Sequence, residues 1–343
     1  MTGAVVVNTT DIAADIAALR ERAGFRLDRI MPADDPALAD MSGHGLALSL
    51  RRSEEVQPVT IEIDAAGRDV VLAGGSTIRF EPRPRGIDVP ANVPELVVTH
   101  ASQDDAWVSG RAGMRYRELL PGRWGGRFIA SHIHVPGTGP IPDYVHYHRT
   151  RFQLIAVKSG EVEVVYEDQG EPFVMRPGDC VLQPPEIRHR VLHGSNDLEV
   201  VEVGCPAEHE TLVEHGFGLP TAAVEPDRDF SGQRFVRHTA AETPAGTWRL
   251  PGWTARDSAI AAATGGLVTV LFVQPADSPS AEWSWVEGEF ELLVAMHGSV
   301  MLETESGGAT RLDPGDSAAL PAGEGHRLLG PSDDLELMEV HVP

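Results

Sequence analysis

The sequence predicts a mainly β protein: two copies of one β-barrel unit behind a small α+β region. Three observations carry that reading. From about Gly122 onward, Gly and Pro (35 and 26 of 343 residues) punctuate short segments rich in Val, Ile, Leu and Phe, as in many short strands joined by turns. The chain also repeats itself. "FQLIAVKSGEVEV" from Phe152 parallels "FELLVAMHGSVML" from Phe290, "RPGDCVLQPPEIRHRVL" from Arg176 parallels "DPGDSAALPAGEGHRLL" from Asp313, and "DLEVVEVGCP" parallels the closing "DLELMEVHVP", always 137–138 residues apart. Residues 1–120 read differently, with one segment of helical period. The expected organisation is an α+β region over 1–120, a β unit over 121–206, a connection over 207–244 and a second β unit over 245–343.

In the N-terminal region Val5–Val7 reads as a strand. Asp11–Arg22 reads as a helix from the spacing of Ile12, Ile16 and Leu19, with Thr10 or Asp11 as its cap. Strands are expected at Arg26–Met31, Gly45–Arg51 and Ser76–Phe80. This β-α-β-β order, with "AGFRLDRI" after the helix, resembles one half-module of the vicinal-oxygen-chelate (glyoxalase-like) fold. No His/Glu pair stands where such a module would hold metal, so a structural or dimerisation role is expected of it. Acidic, Pro- and Gly-interrupted residues from about Ala207 to Pro251 read as the connection between the repeats.

Composition narrows the function classes. Lys plus Arg (28) against Asp plus Glu (51) gives −23, a surface that repels phosphate backbones and anionic lipid, so neither nucleic acid nor membrane is expected as a partner. The longest weakly polar run, near Ile260–Val273, is too short to span a bilayer. No secretory leader is read, and two cysteines, Cys180 and Cys205, make no disulfide scaffold, so the expected location is the cytoplasm. Gly-rich nucleotide loops, nucleophile elbows and zinc-ribbon cysteines are missing from the sequence.

The chemistry concentrates in the first copy. His146 and His148 alternate on a strand, so both imidazoles leave one face. Gln153 follows five residues on, and His189 comes after the "PGD" turn; two histidines on one strand and a third from a distant one can converge on a cation. "HYHRTRFQLIAVKSG" resembles the first motif of the cupin superfamily, and "GDCVLQPPEIRH" the second. The resemblance implies two jelly-roll barrels in tandem, a bicupin. It implies His146, His148 and His189 as metal ligands, with Gln153 in place of the family's Glu and Glu186 in place of its second-motif Gly. A Gln in place of Glu leaves a dicationic, more electrophilic site with no carboxylate to act as a base.

Strand alternation adds Tyr144, on the face of His146 and His148, and Arg151, on that of Gln153, as groups to orient an oxygen-bearing substrate. A second HxH pair, His132 and His134, lacks the downstream spacing and reads as structural, the alternative being that one of them reaches the pocket wall as a hydrogen-bonding or acid/base group. His209 and His215 read as solvated or capping, and Cys180 as a buried small hydrophobe. The second copy keeps Glu291 and His326 but holds Ser284 and Val286 at the HxH positions, and is expected to be metal-free.

The function expected from the resemblance is that of a mononuclear metal-dependent dioxygenase. It would act on a small enolic, phenolic or diketone-like substrate with one divalent transition metal, Fe(II) ahead of Zn, Ni or Mn. A non-redox isomerase or cyclase using Zn or Ni as Lewis acid is the alternative, and a non-catalytic binding protein the third reading. Exposed sheet edges make a homodimer a reasonable expectation.

Overall fold

The computed structural model describes residues 3–83, 86–102, 107–110 and 113–343. The chain falls into two units, Met1–Gly86 and Ile87–Pro343.

In the first unit, the helix Ile12–Arg22 starts where Asp11 accepts a bond from the Ala14 amide. It buries Ile12 and Leu19 against Val7, Phe25, Met41 and Leu48. The helix carries the chain from Val5–Thr9 to the sheet's other edge at Arg26–Met31; two further strands, Leu38–Gly43 and Leu46–Arg52, bring it back beside Val5–Thr9, with which the last strand pairs in parallel. The strand Leu38–Gly43 was not expected, because "LADMSG" is short and half polar. It is held by a hairpin turn in which His44 and Gly45 both take positive φ, 52° and 75°. A three-stranded sheet, Thr60–Ile63, Val70–Val71 and Thr77–Phe80, completes this unit.

The second unit holds two barrels of two facing sheets each. In the first barrel, the sheet containing Phe152–Ser159, Leu198–Cys205 and Ile129–Val135 faces one containing Val162–Tyr166, His189–Gly194 and His146–His148. In the second barrel, Phe290–His297, Glu336–Val342 and Thr269–Pro275 face Val300–Thr304, Gly325–Leu329 and Ser284–Trp285. The repeat extends to irregularities: the pairing slips between Val157 and Ser159 in one copy and between Ala295 and His297 in the other. One apolar core joins the barrels. Phe128 stacks on Phe290 with ring centroids 4.3 Å apart, and Trp124 meets the same Phe290 edge-on at 5.1 Å.

Two expected boundaries move. Residues 87–120 belong with the barrels rather than with the N-terminal region: Val97–Thr99 pairs with Ser317–Leu320 in the second barrel, and Arg115–Glu118 pairs with Ile129–Val135 in the first. The stretch 207–244 is not a free connection, since Thr211–Val213 pairs with His146–His148 and Val236–His238 pairs with Cys180–Leu182. The reason is the same in both barrels. The strand after each "PGD" turn would be a bare sheet edge, and a strand distant in sequence covers it. Among the described residues, no helix is long and apolar enough to cross a membrane.

Candidate metal centre

His146 lies directly opposite His189 in the antiparallel pair of their strands, so the two side chains share one face. His148 follows two residues on from His146, and alternation returns it to that face. The rings of His146 and His189 lie 4.3 Å apart, those of His146 and His148 5.1 Å, and those of His148 and His189 5.2 Å. One nitrogen from each ring lies within 4.8 Å of the others, the one such group of metal-ligating side chains among the described residues. His146 and His189 are almost fully buried.

The orientation of the rings follows from their other nitrogens. Nδ1 of His146 is 2.8 Å from the Tyr144 carbonyl, and Nδ1 of His189 is 3.0 Å from the Ile187 carbonyl. A carbonyl only accepts, so each Nδ1 carries the proton and each Nε2 keeps its lone pair for a cation. Nδ1 of His148 is 3.0 Å from the Thr211 hydroxyl.

Gln153 lines the same cavity. Its amide nitrogen donates to Oε1 of Glu202 at 2.5 Å, which fixes which end of the amide is which. Its oxygen Oε1 is buried with no hydrogen-bond partner among the described residues. A buried acceptor without a donor is costly in an apolar barrel. Together with three imidazoles each held at Nδ1 by a backbone carbonyl or by the Thr211 hydroxyl, it fits a divalent transition-metal ion.

These residues line a cavity of about 420 Å³ in the first barrel, with Tyr144, His209 and Thr211 beside them. Tyr144, Thr211 and Val213 line it while remaining exposed, so the cavity opens along the strand Thr211–Val213. Tyr166 lies buried on the wall, its ring stacked 5.4 Å from that of His189 and its hydroxyl accepting from Gln183 at 2.7 Å. Burial pushes its phenol well above the ordinary range, so it remains a neutral hydrogen-bonding group.

Arg151 corrects the sequence reading. It does not line the cavity; its guanidinium lies 3.7 Å from Glu289 of the second barrel, where Arg127 also pairs. The strand begins only at Phe152, so alternation counted back from Gln153 does not reach Arg151. Its backbone is instead held in the turn, the amide donating to the Cys205 carbonyl and the carbonyl accepting from Gln233. His132 and His134 also stay outside the cavity. His132 is bound to Glu199 and Arg117, and Trp107 packs on both rings.

Sequence reasoning missed two residues. Glu202 brings a carboxylate to the wall after Gln153 had been read as leaving none. The repeat held the signal, since Glu339 occupies the same place in "DLELMEV" as Glu202 in "DLEVVEV". His209 packs its ring 5.3 Å from His148 and lines the cavity, placed there by a stretch read as connection.

In the second barrel Ser284 pairs with His326 as His146 pairs with His189, and buried Val286 replaces His148. The guanidinium of Arg249 lies among the remaining polar groups, 2.5 Å from Glu339, 3.3 Å from Glu291 and 3.4 Å from His326 Nε2. A fixed organic cation thus sits where the first barrel gathers its imidazoles. Burial, then the Arg249 charge, pushes His326 down to about 4; burial and the neighbouring Glu339 charge raise Glu291.

The two-sheet barrels in tandem, with histidines converging inside the first, define a bicupin. Residues 132–204 match the family described as the cupin domain. Among solved structures, the chain is similar to the Lactobacillus farciminis oxalate decarboxylase in its formate complex, at 14% identity and TM-score 0.53 over 74% of this chain and 87% of that one. It is similar to the salicylate 1,2-dioxygenase of Pseudoaminobacter salicylatoxidans in complex with gentisate, at 16% identity and TM-score 0.54 over 74% and 83%. It is also similar to the Bacillus subtilis oxalate decarboxylase described for its Mn(II) centres, at 13% identity and TM-score 0.51 over 76% and 80%. No curated protein sequence matches the chain. The chain therefore has the bicupin fold, with a cupin domain as its first barrel.

Proposed function

We propose that the protein is a mononuclear metalloenzyme of the first barrel, a dioxygenase acting on a small enolic, phenolic or diketone-like substrate. The observation that carries the reading is the donor set itself: three oriented imidazoles and one partnerless amide oxygen at the wall of a mainly apolar cavity. His146, His148 and His189 would hold the ion, Fe(II) ahead of Zn, Ni or Mn, and Gln153 Oε1 would complete or tune its shell. Bound there, the metal supplies a Lewis acid and, if redox-active, electrons for dioxygen.

The chain's own residues do the rest. The Ile, Val and Leu side chains of the barrel exclude bulk water, which strengthens every polar contact inside. Tyr144, at the mouth, and the Tyr166–Gln183 pair, inside, offer hydrogen bonds that orient a substrate's oxygens. Glu202 can accept the O–H of an enol or phenol while its Oε1 keeps Gln153 in place. Both atoms of dioxygen end in the product, and one carbon–carbon bond of the substrate is lost. The solved relatives act on this fold as a dioxygenase and as decarboxylases, so C–C cleavage is compatible with it.

The Glu202 carboxylate favours one second reading, a Lewis-acid isomerase or cyclase that moves a proton without redox change. Elemental analysis of anaerobically purified protein beside His146→Ala separates the two. About one equivalent of iron per chain, lost in the variant and needed for oxygen uptake, is the expected result. Zinc or nickel at that stoichiometry, with no oxygen uptake under iron, would favour the second reading. No metal in the parent after reconstitution would overturn both.

A further inference from the structure

We infer that the first barrel selects an uncharged substrate with an apolar body and its oxygen functions at one end, and disfavours carboxylates. This rests on the metal-centre reading above and adds the substrate class to it. The strand registers separate the cavity into two ends. Along Leu198–Cys205, Glu202 stands level with Ile155, diagonal to Gln153; the next inward positions are Val200, opposite Ile133, and Leu198, opposite Val135. The facing sheet runs the same way, from His189 opposite His146 and Tyr166 to Val191 opposite Val164, and then to Val162 opposite Met175. Both sheets therefore pass from mainly polar to mainly apolar positions, with the Tyr116 phenol opposite Ile133 as a polar group among the latter, and the cavity they enclose has one polar end and one mainly apolar end.

Charge decides what can enter. Among the described residues no Lys or Arg lines this cavity, because Arg151, the one cation expected there, is turned toward Glu289. The bound metal would supply the positive charge there, and the Glu202 carboxyl group stands on the same wall. A carboxylate placed beyond the metal's reach would lose its hydration with no Lys or Arg on the wall to replace it. A neutral diketone or enol has no such cost. Its two oxygens suit the polar end, and its hydrocarbon body gains by leaving water at the other.

The test uses the full chain loaded with redox-inert Zn(II), titrated calorimetrically with 2,4-pentanedione, 2,4-octanedione, oxalate and salicylate, beside His146→Ala. Zinc retained by the parent and lost by the variant establishes the metal reading separately. The expected result is that octanedione binds at least about tenfold tighter than pentanedione, since each buried methylene contributes about 0.8 kcal/mol, and at least about tenfold tighter than either carboxylate. Ile133→Ala should erode the preference for octanedione over pentanedione while leaving zinc content unchanged. Zinc retained, with oxalate or salicylate binding as tightly as the diketones, would overturn the inference and leave the metal centre standing. A parent that retains no zinc would overturn the metal reading and the inference with it.

Discussion

Glu202 is the residue whose replacement tests the metal centre most sharply, because it would reach the metal only through Gln153. Its carboxylate accepts from Gln153 Nε2 at 2.5 Å and so turns the amide oxygen away from itself. In Glu202→Ala the amide loses that anchor, can rotate by half a turn, and presents its oxygen to the site only part of the time. A hydrogen bond to a charged group contributes about 1.5–3 kcal/mol. If the whole of it serves to orient the ligand, metal affinity falls about 10- to 100-fold, the range found when a partner behind a metal ligand is removed. Glu202→Gln keeps an acceptor and the shape but not the charge, and should fall in between. The assay is competition for Zn(II) against a chromophoric chelator, with Gln153→Ala and His146→Ala as references. The reasoning fails if Glu202→Ala binds metal like the parent while Gln153→Ala does not, or if Gln153→Ala itself leaves affinity unchanged.

Three further outcomes follow from the packing and the charges. Phe290→Ala removes a ring stacked between Phe128 and Trp124 in the core joining the barrels, and should cost about 3–5 kcal/mol in urea denaturation; a cost below about 1 kcal/mol would mean the barrels do not depend on that core. Arg249→Ala leaves Glu291 and Glu339 buried without their cation. It should cost about 2 kcal/mol, less than a wholly buried pair because the arginine is 34% exposed, and Glu339→Gln in the same chain should restore part of the loss. Acid should destabilise the fold below about pH 6.5: burial lowers His132 and lowers His326 to about 4, while the His132 bond, aided by Lys158 against burial, holds Glu199 at about 2. The unfolded chain binds more protons below about 6.5 for the two histidines and below about 4.5 for Glu199, so stability is present above each unfolded pKa and is lost as pH falls; raised Glu291 opposes this between about 4.5 and 7. Melting temperatures measured from pH 7.5 to 4.5 should fall, and His326→Gln should flatten the slope; a melting temperature that rises on acidification would refute the assignment.

What could be read before any coordinates were known was local or periodic. Alternation on one strand is a property of three consecutive residues, and it put His146 and His148 on one face. The tandem repeat survives as text because both copies must fill the same barrel positions, down to the matched Glu202 and Glu339. Alternation failed where its premise failed, at Arg151, one residue before the strand begins.

Tertiary structure decided whatever depends on pairing between segments far apart in sequence. The strand Thr211–Val213 closes on His146–His148 and brings His209 to the cavity, while Val97–Thr99 joins the barrel more than two hundred residues later in the chain. Nothing in those short segments names a partner, since an uncovered sheet edge accepts any strand of suitable length. The same holds for charge. Composition alone determined an acidic protein, but which cation stands in which barrel was settled by folding. Arg151 was drawn to Glu289 and Arg249 to Glu291 and Glu339, because a buried carboxylate requires a nearby positive group and takes the one that packing delivers.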